Sequence, residues 1–523
     1  MCNQRPTCFL LIHAFLVSWL AGEIRTPAII GNHMVLQQNH PNPIWGWDLP
    51  EQSIEVTISG QNHKTVANSQ GYWRVALRPM KASNSPQEMI IQGSSQIKYQ
   101  NILIGEVWLC SGQSNMGWSL GQADDKDLES MSAKFPNLRL ISVPQVGTQE
   151  PQNDFNGKWE ETTPESAINF SAVGYLFGRR LHQILDVPIG LIDNAWGGSA
   201  CEAWIPRDRL NQLAAAKPYM DKWEKIEAEF DFEKLQKAYE DKLNIWQAKE
   251  IAARQAGKKS AERRPRAPRN QLTGQHRPSN LYNGVLKPIM GYGMKGAIWY
   301  QGESNADRGH AYREIFPLMI QSWREGWKQG DFSFYWVQLA DFKDELAAPS
   351  TEQTWPELRE AQTFTLSKLK NVGEAVIIDV GEGRDIHPRN KQIVANRLVR
   401  NALAKDYGVS IPYQSPRYQS MEVKENKIIL TFDHVGQGLY CFDIREPTGF
   451  TICGEDQNFA WAQAKLVGKD KVEVWAESIE KPTAVRYAWA DNPVCNLYRR
   501  DGPVTLPMTP FRTDNFPLTT MGK

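Results

Sequence analysis

Five short apolar runs, separated by helix-period patterns, constrain the fold of this chain more than any other feature. They are Val107–Leu109, Ile189–Ile192, Ala297–Tyr300, Phe334–Leu339 and Ala375–Ile378. Between and after them, Ala172–Leu185, Tyr312–Trp327, Glu357–Leu369 and Asn390–Lys405 carry apolar residues at helical spacing. Strands that are apolar on both faces and alternate with helices predict a parallel sheet covered on two sides. Ligands in such sheets bind beyond the carboxyl ends of the strands, so the residues just after each run are where chemistry is expected.

The flanks read differently. From residue 23 to about 100 the pattern has period two, as in Ile54-Glu55-Val56-Thr57-Ile58 and Tyr72-Trp73-Arg74-Val75-Ala76-Leu77 around the turn Asn68-Ser69-Gln70-Gly71. This predicts an N-terminal β-sandwich. Alternation returns after about residue 409, in Ile428-Ile429-Leu430-Thr431-Phe432 and Lys471-Val472-Glu473-Val474-Trp475, and predicts a C-terminal β module spanning 409–523. The α/β region then covers about 101–408, with a helical insertion near 207–275 where Trp223, Ile226, Phe230, Tyr239, Leu243 and Trp246 recur amid dense charge. The insertion ends in a basic stretch through Arg263-Arg264-Pro265-Arg266, which has no interleaved aromatics and reads as a solvated loop. A chain of 523 residues is too long for one core, and its formal net charge of +0 favours neither nucleic acid nor an anionic membrane.

Arg5, the apolar stretch Phe9 to Leu20 and the small pair Ala21-Gly22 predict an export signal over 1–22. The run falls short of the roughly 18 residues that span a bilayer. A secreted or periplasmic protein follows, with no membrane contact after signal removal. Beyond the signal, Cys110, Cys201, Cys441, Cys453 and Cys495 are dispersed, with no zinc-type spacing. Cys441 and Cys453 are the pair that an oxidising compartment could join. The 19 Trp suit either sugar stacking or ordinary core filling, with the sugar reading slightly ahead.

Four polar segments carry the chemistry. Ser114, in Cys110-Ser111-Gly112-Gln113-Ser114-Asn115-Met116, directly follows the first apolar run. A serine lifted out of a sheet by a strand-to-helix turn is well placed as a nucleophile. It needs a base, and His387 in Asp385-Ile386-His387-Pro388, just before a helical pattern, is the candidate. Asp385 could orient the imidazole, with Asp379 at the end of Val376-Ile377-Ile378 as its rival. Donors for a tetrahedral oxyanion could come from the Ser114 N–H, from Gly198 in Asn194-Ala195-Trp196-Gly197-Gly198-Ser199, and from Asn305 in Trp299-Tyr300-Gln301-Gly302-Glu303-Ser304-Asn305. Gln113, Gln301 and Glu303 could touch substrate, and Gln301 and Glu303 could instead brace their loop.

The segment from Gly105 to Met116 closely resembles the nucleophile block of the sialate O-acetylesterases, in the SGNH hydrolase superfamily. Trp299 to Asn305, Asn194 to Gly198 and Asp385 to Pro388 look like that family's Asn, Gly and His blocks. Asn32-His33-Met34-Val35-Leu36-Gln37-Gln38 and Arg486-Tyr487-Ala488-Trp489-Ala490-Asp491-Asn492-Pro493 also look like family signatures. The resemblance implies a flavodoxin-like SGNH domain flanked by β modules, and cofactor- and metal-independent hydrolysis of acetyl esters on sugars. It implies Ser114 as nucleophile, His387 as base, and Ser114, Gly198 and Asn305 as the oxyanion hole. Sialic acid O-acetyl groups and acetylated xylan are both within its substrate range. Two other classes remain open: a carbohydrate-binding protein without turnover, and a lipid esterase.

Overall fold

The computed structural model describes residues 23–258, 262–502 and 504–522; the expected export signal lies outside them. At its centre is a sheet whose order is Val372–Ala375, Ser333–Val337, Gly296–Tyr300, Gln96–Gly112, Ile189–Asp193, Phe135–Ser142 and Glu160–Thr162. All neighbours in it are parallel except the last pair, Phe135–Ser142 with Glu160–Thr162. With Phe135–Ser142 and Glu160–Thr162 set aside, the remaining five strands, numbered along the chain, lie in the order 2-1-3-4-5, the flavodoxin-like arrangement.

Alternation along the strand Ser333–Val337 shows how both faces are covered. Phe334 and Trp336 meet Phe316 of the helix Gly309–Trp327, with ring centroids 6.2 and 5.2 Å apart. Tyr335, between them, points the other way and donates its hydroxyl to Asp406 at the end of the helix Lys391–Asp406 (2.6 Å). The helix Ala172–Leu185 packs beside Lys391–Asp406, and Trp355–Phe364 beside Gly309–Trp327. Caps set the helix starts: the side chains of Ser171 and Asn390 accept from the N–H groups of Gly174 and Ile393.

The 17-residue strand Gln96–Gly112 belongs to two sheets. Its first part pairs antiparallel with Ser83–Gln92 and parallel with Val35–Gln37 in the N-terminal module. Its last part lies between Ile189–Asp193 and Gly296–Tyr300 in the central sheet. At the junction, Gln37 and Gln38 donate their side-chain amides to the buried carboxylate of Glu106 (3.0 and 2.6 Å). Those amides give the Asn32–Gln38 motif its structural role.

Two differences from the sequence reading have physical causes. The strand Phe135–Ser142 was not anticipated, because Pro136 and Asn137 look like a turn and Arg139 interrupts the apolar run. Arg139 is nonetheless buried, its guanidinium held by the Pro136 carbonyl and by Asn101. The run Ala375–Ile378 is a strand only through Ala375, since Val376 and Ile378 turn into a second core with Ile428, Leu430, Phe432 and Phe450, while Ile377 stays in the first. Tryptophan also reads differently in three dimensions. Eight of them, among them Trp108, Trp204, Trp299 and Trp336, are among the largest fully buried side chains and fill cores.

The sequence left open whether Cys441 pairs with Cys453. Both are free thiols, Cys441 in a sheet with Leu497–Asp501 and Cys453 in another with Ala484–Tyr487. In the insertion, Trp223 is buried against Ala200, but the helix Phe232–Gln255 buries none of its residues. Among the described residues, no helix is long and apolar enough to cross a membrane.

Arg359 joins the C-terminal module to the central sheet. Fully buried, it donates to the carbonyls of Leu339, Ala340, Ala490 and Asp491 at 2.7–2.9 Å. Arg359→Met keeps most of the bulk but strands four carbonyls, and is expected to lower unfolding stability by at least about 2 kcal/mol. A denaturant midpoint equal to that of the parent chain would contradict this.

Candidate active site

Ser114 begins the short helix Ser114–Gly117, two residues beyond the end of the long strand. The turn between them depends on Gly112, whose φ is +137° and where a Cβ would sit 2.2 Å from the Tyr300 carbonyl oxygen. Gln113 donates its N–H to that carbonyl (2.9 Å), and the Met116 and Gly117 N–H groups close back on the Gln113 carbonyl (3.0 Å each). Ser171 Oγ then donates to the Met116 carbonyl (2.6 Å), fixing the helix against Ala172–Leu185.

The loop that follows the strand Val372–Ala375 brings His387 to this point. Its Nε2 lies 2.8 Å from Ser114 Oγ, although the two residues are 273 positions apart. The imidazole stacks on Trp118, with centroids 4.6 Å apart and planes 12° from parallel. Arg389 pairs with Glu382 through its backbone N–H and guanidinium (2.8–3.0 Å), closing the base of the loop. Partial burial and the Lys391 charge hold the His387 imidazole below its ordinary value, against the opposing pull of Asp385.

The two candidate carboxylates are now distinct. Asp379 is bound by Arg397 (2.6 and 2.8 Å) and accepts from the Tyr498 hydroxyl (3.1 Å), so it is engaged away from the imidazole. Asp385 accepts the His387 backbone N–H at 2.9 Å, while its Oδ1 stands 3.6 Å from Nδ1. That is an electrostatic neighbour at longer than hydrogen-bond range. Its side chain is also 56% exposed, so solvent weakens its hold on the ring.

A second set of contacts fixes the distance between Ser114 and His387, and two of its members, Asn115 and Lys391, had no role assigned from sequence. Asn115 Nδ2 donates to the Ile386 carbonyl (2.9 Å) and to Glu303 Oε1 (2.6 Å). Lys391 Nζ donates to Asn115 Oδ1 (2.6 Å) from a fully buried position. One amide therefore ties the helix of Ser114, the loop of His387 and the turn of Glu303 together. Burial pushes Lys391 down to about 7 and Glu303 upward. The sequence did hold a signal: Lys391 opens a helix, where a cation opposes the helix dipole, so another interaction must hold it there.

The other predicted residues divide into two groups. Gly198, with φ +71°, and Ser114 both have backbone N–H groups with no acceptor among the described residues. Gly197 faces the nucleophile, since a Cβ there would sit 3.4 Å from Ser114 Cβ. Ser304 Oγ fixes the Gly198 peptide through its carbonyl (2.9 Å). Asn305 is different: it is fully buried, its Oδ1 accepting from the Cys201 N–H and Gln301, its Nδ2 donating to Glu202 (2.8–2.9 Å). An amide so engaged braces the Ser199–Glu202 turn. Gln113 and Gln301 are also buried, receiving or donating within the same turns (2.8–3.4 Å). With Glu303, they brace these turns through their side chains.

In front of Ser114 opens a cleft of about 430 Å³, lined by Trp118, Gln122, Gln145, Asn169 and Asp193 among others. Burial pushes the Asp193 carboxyl up to about 7. Amides, a carboxyl and an aromatic face suit the hydroxyls and ring of a sugar.

No family model matches the chain. Among curated proteins, the sialate O-acetylesterase of Mus musculus is 30% identical over 93% of this chain and 94% of its own length. That of Rattus norvegicus is 30% identical over 98% of both. Among solved structures, a carbohydrate acetylesterase from Xanthomonas citri superposes with a TM-score of 0.78 at 33% identity, covering 94% of this chain and 100% of its own. Likeness of this extent, over modules and catalytic region alike, shows that the chain belongs to the sialate O-acetylesterase family.

Proposed function

We propose that the chain is a serine esterase that removes O-acetyl groups from sugars through an acetyl-enzyme intermediate. The observation that carries this reading is the 2.8 Å contact between Ser114 Oγ and His387 Nε2 at the floor of a polar cleft. Neutral His387 takes the Oγ proton as the oxygen attacks the acetyl carbonyl carbon. The carbonyl electrons move onto oxygen, which the N–H groups of Ser114 and Gly198 receive, each worth about 3 kcal/mol. The imidazolium then returns its proton to the departing sugar alcohol, leaving Ser114 acetylated. Water enters, gives a proton to the same imidazole, and attacks the acetyl carbon. Acetate leaves as Ser114 recovers its hydrogen.

The curated relatives' names support acetylated sialic acid as substrate. A second reading, a neutral acetylated glycan such as xylan, is favoured by one feature: among the described residues lining the cleft, none is Lys or Arg to receive a sialate carboxylate. Acetate release from O-acetylated sialic acid and from acetylated xylan, measured side by side, separates them. The export reading of residues 1–22 supports action outside the cytoplasm.

Ser114→Ala and His387→Ala are each expected to reduce turnover of p-nitrophenyl acetate by at least about 10⁴-fold. Asp385→Asn should cost far less, roughly 10-fold, because the carboxylate is exposed and long-range. Residual turnover within tenfold of the parent chain in Ser114→Ala would sink the serine mechanism.

The acid limb of kcat/KM reports protonation of His387, which must be neutral to accept the Oγ proton. It should therefore fall at a pH below the ordinary imidazole value. Lys391→Met removes a charge that lowers this value, so the limb should move to higher pH and kcat should drop as Asn115 loses its partner. Asp385→Asn removes a charge that raises it, and the limb should move to lower pH. Limbs that shift in the same direction in the two variants would contradict the assigned electrostatics.

A further inference from the structure

A second cavity, of about 240 Å³, lies between the C-terminal module and the segment Leu346–Ser350, and shares no lining residue with the cleft at Ser114. Its walls are aromatic. Trp461, 48% exposed on the edge strand Ala460–Trp461, forms one side, and Phe459 and Trp489 continue it. Around them stand the small polar side chains of Thr448, Thr451 and Ser350 and the amide of Asn492. Apolar faces with a ring of neutral hydrogen-bonding groups fit a ligand that has flat C–H faces and equatorial hydroxyls.

Charge narrows the class. Among the described residues that line the cavity, Arg486 alone is charged. Its guanidinium is already paired with Asp514 (2.8 and 3.1 Å) and lies over the rings of Phe459 and Trp489, 4.3 and 5.2 Å from their centroids. A neutralised arginine leaves little attraction for a carboxylate or phosphate. The wall is also preorganised, because Arg359 holds the carbonyls of Ala490 and Asp491 (2.7 Å each).

The cavity is wired to the catalytic side of the molecule. Asn492 Nδ2 donates to the Lys343 carbonyl, and the Lys343 N–H donates to the Gly383 carbonyl, both at 2.7 Å. Gly383 is four residues before His387, and a Cβ on it would sit 2.7 Å from Asn492 Nδ2.

From these contacts we infer that the cavity is an accessory carbohydrate site, taking one neutral pyranose unit of the glycan whose acetyl group is presented to Ser114. It rests on the sugar-esterase reading for its substrate class and on its own lining for its chemistry. Stacking on Trp461 supplies the attraction, and the hydroxyl groups around it set orientation.

The test measures binding without turnover. In the Ser114→Ala chain, xylohexaose, cellohexaose and a sialyl-oligosaccharide are titrated by calorimetry, then again with Trp461→Ala and Trp461→Phe added. The expected result is binding of at least one neutral oligosaccharide, weakened tenfold or more by Trp461→Ala and largely restored by Trp461→Phe. Unchanged thermal melting in the Trp461 variants excludes loss of fold. The inference is overturned if no neutral oligosaccharide binds, if Trp461→Ala leaves affinity unaltered, or if only the sialylated ligand binds. A loss produced by Trp118→Ala and not by Trp461→Ala would place the sugar in the Ser114 cleft and also overturn it. Failure of the esterase reading would appear separately, as absent acetate release by the unaltered chain.

Discussion

The strand Gln96–Gly112 is the constraint on which the rest of the structure depends. It is hydrogen-bonded first within the N-terminal module and then at the centre of the parallel sheet, so neither sheet can shift register without the other. Two glycines make this possible. Gly105 lets the chain pass Pro188, whose carbonyl oxygen would lie 1.9 Å from any Cβ, and Gly112 lets it turn past Tyr300. A side chain at either point would move the strand end, and with it the hydroxyl of Ser114. The N-terminal module thus sets the height of the nucleophile above the sheet.

Ser114 and His387, the proposed nucleophile and base, come from opposite ends of the α/β region, and their separation is held by an amide. Asn115 donates to the Ile386 carbonyl and Glu303 while accepting from Lys391. Only a carboxamide offers donor and acceptor at this size. An aspartate would lose both donated bonds and add charge beside Glu303; a leucine would strand Lys391 in the interior. The Lys391 ammonium also acts on the chemistry, since its charge opposes protonation of His387. The contacts that position the imidazole therefore also favour its neutral form, as a general base requires.

Apolar periodicity made four of the five principal strands and the four covering helices legible, and the strand-end rule located the polar segments. Ser114 and His387 could be named because each follows or precedes an element whose pattern is clear. The strand Phe135–Ser142 was hidden because a buried arginine breaks its pattern, and burial of arginine depends on partners such as Asn101 that are remote in sequence. The roles of Gln113, Gln301, Glu303 and Asn305 stayed open in the sequence for a related reason. A polar residue in a strand-end turn can face the ligand or support the turn from within, and the choice depends on partners such as Glu202 and Tyr312. Composition was equally ambiguous for tryptophan: eight fill cores, while Trp118 and Trp461 line a cleft and a cavity.

The C-terminal module bears on His387 as the N-terminal one bears on Ser114. Val376 and Ile378 leave the central sheet to enter the second core, and Ile377 between them stays in the first. The chain that carries His387 thus starts from a segment gripped alternately by two cores. Asp379, the residue that follows, is held by Arg397 from the helix Lys391–Asp406 and by Tyr498 from the module. This engagement explains why an acidic residue stands at a strand end without serving the imidazole: it fastens the loop at its root. The loop's far end is fastened by Asn390, which caps the helix that also carries Lys391. With both ends fixed, the few residues between can be exposed, as Asp385 is, while the imidazole stays within reach of Ser114. A carboxylate buried against the ring is therefore not required to orient it; the stack on Trp118 and the anchored Ile386 carbonyl already limit its rotation and approach.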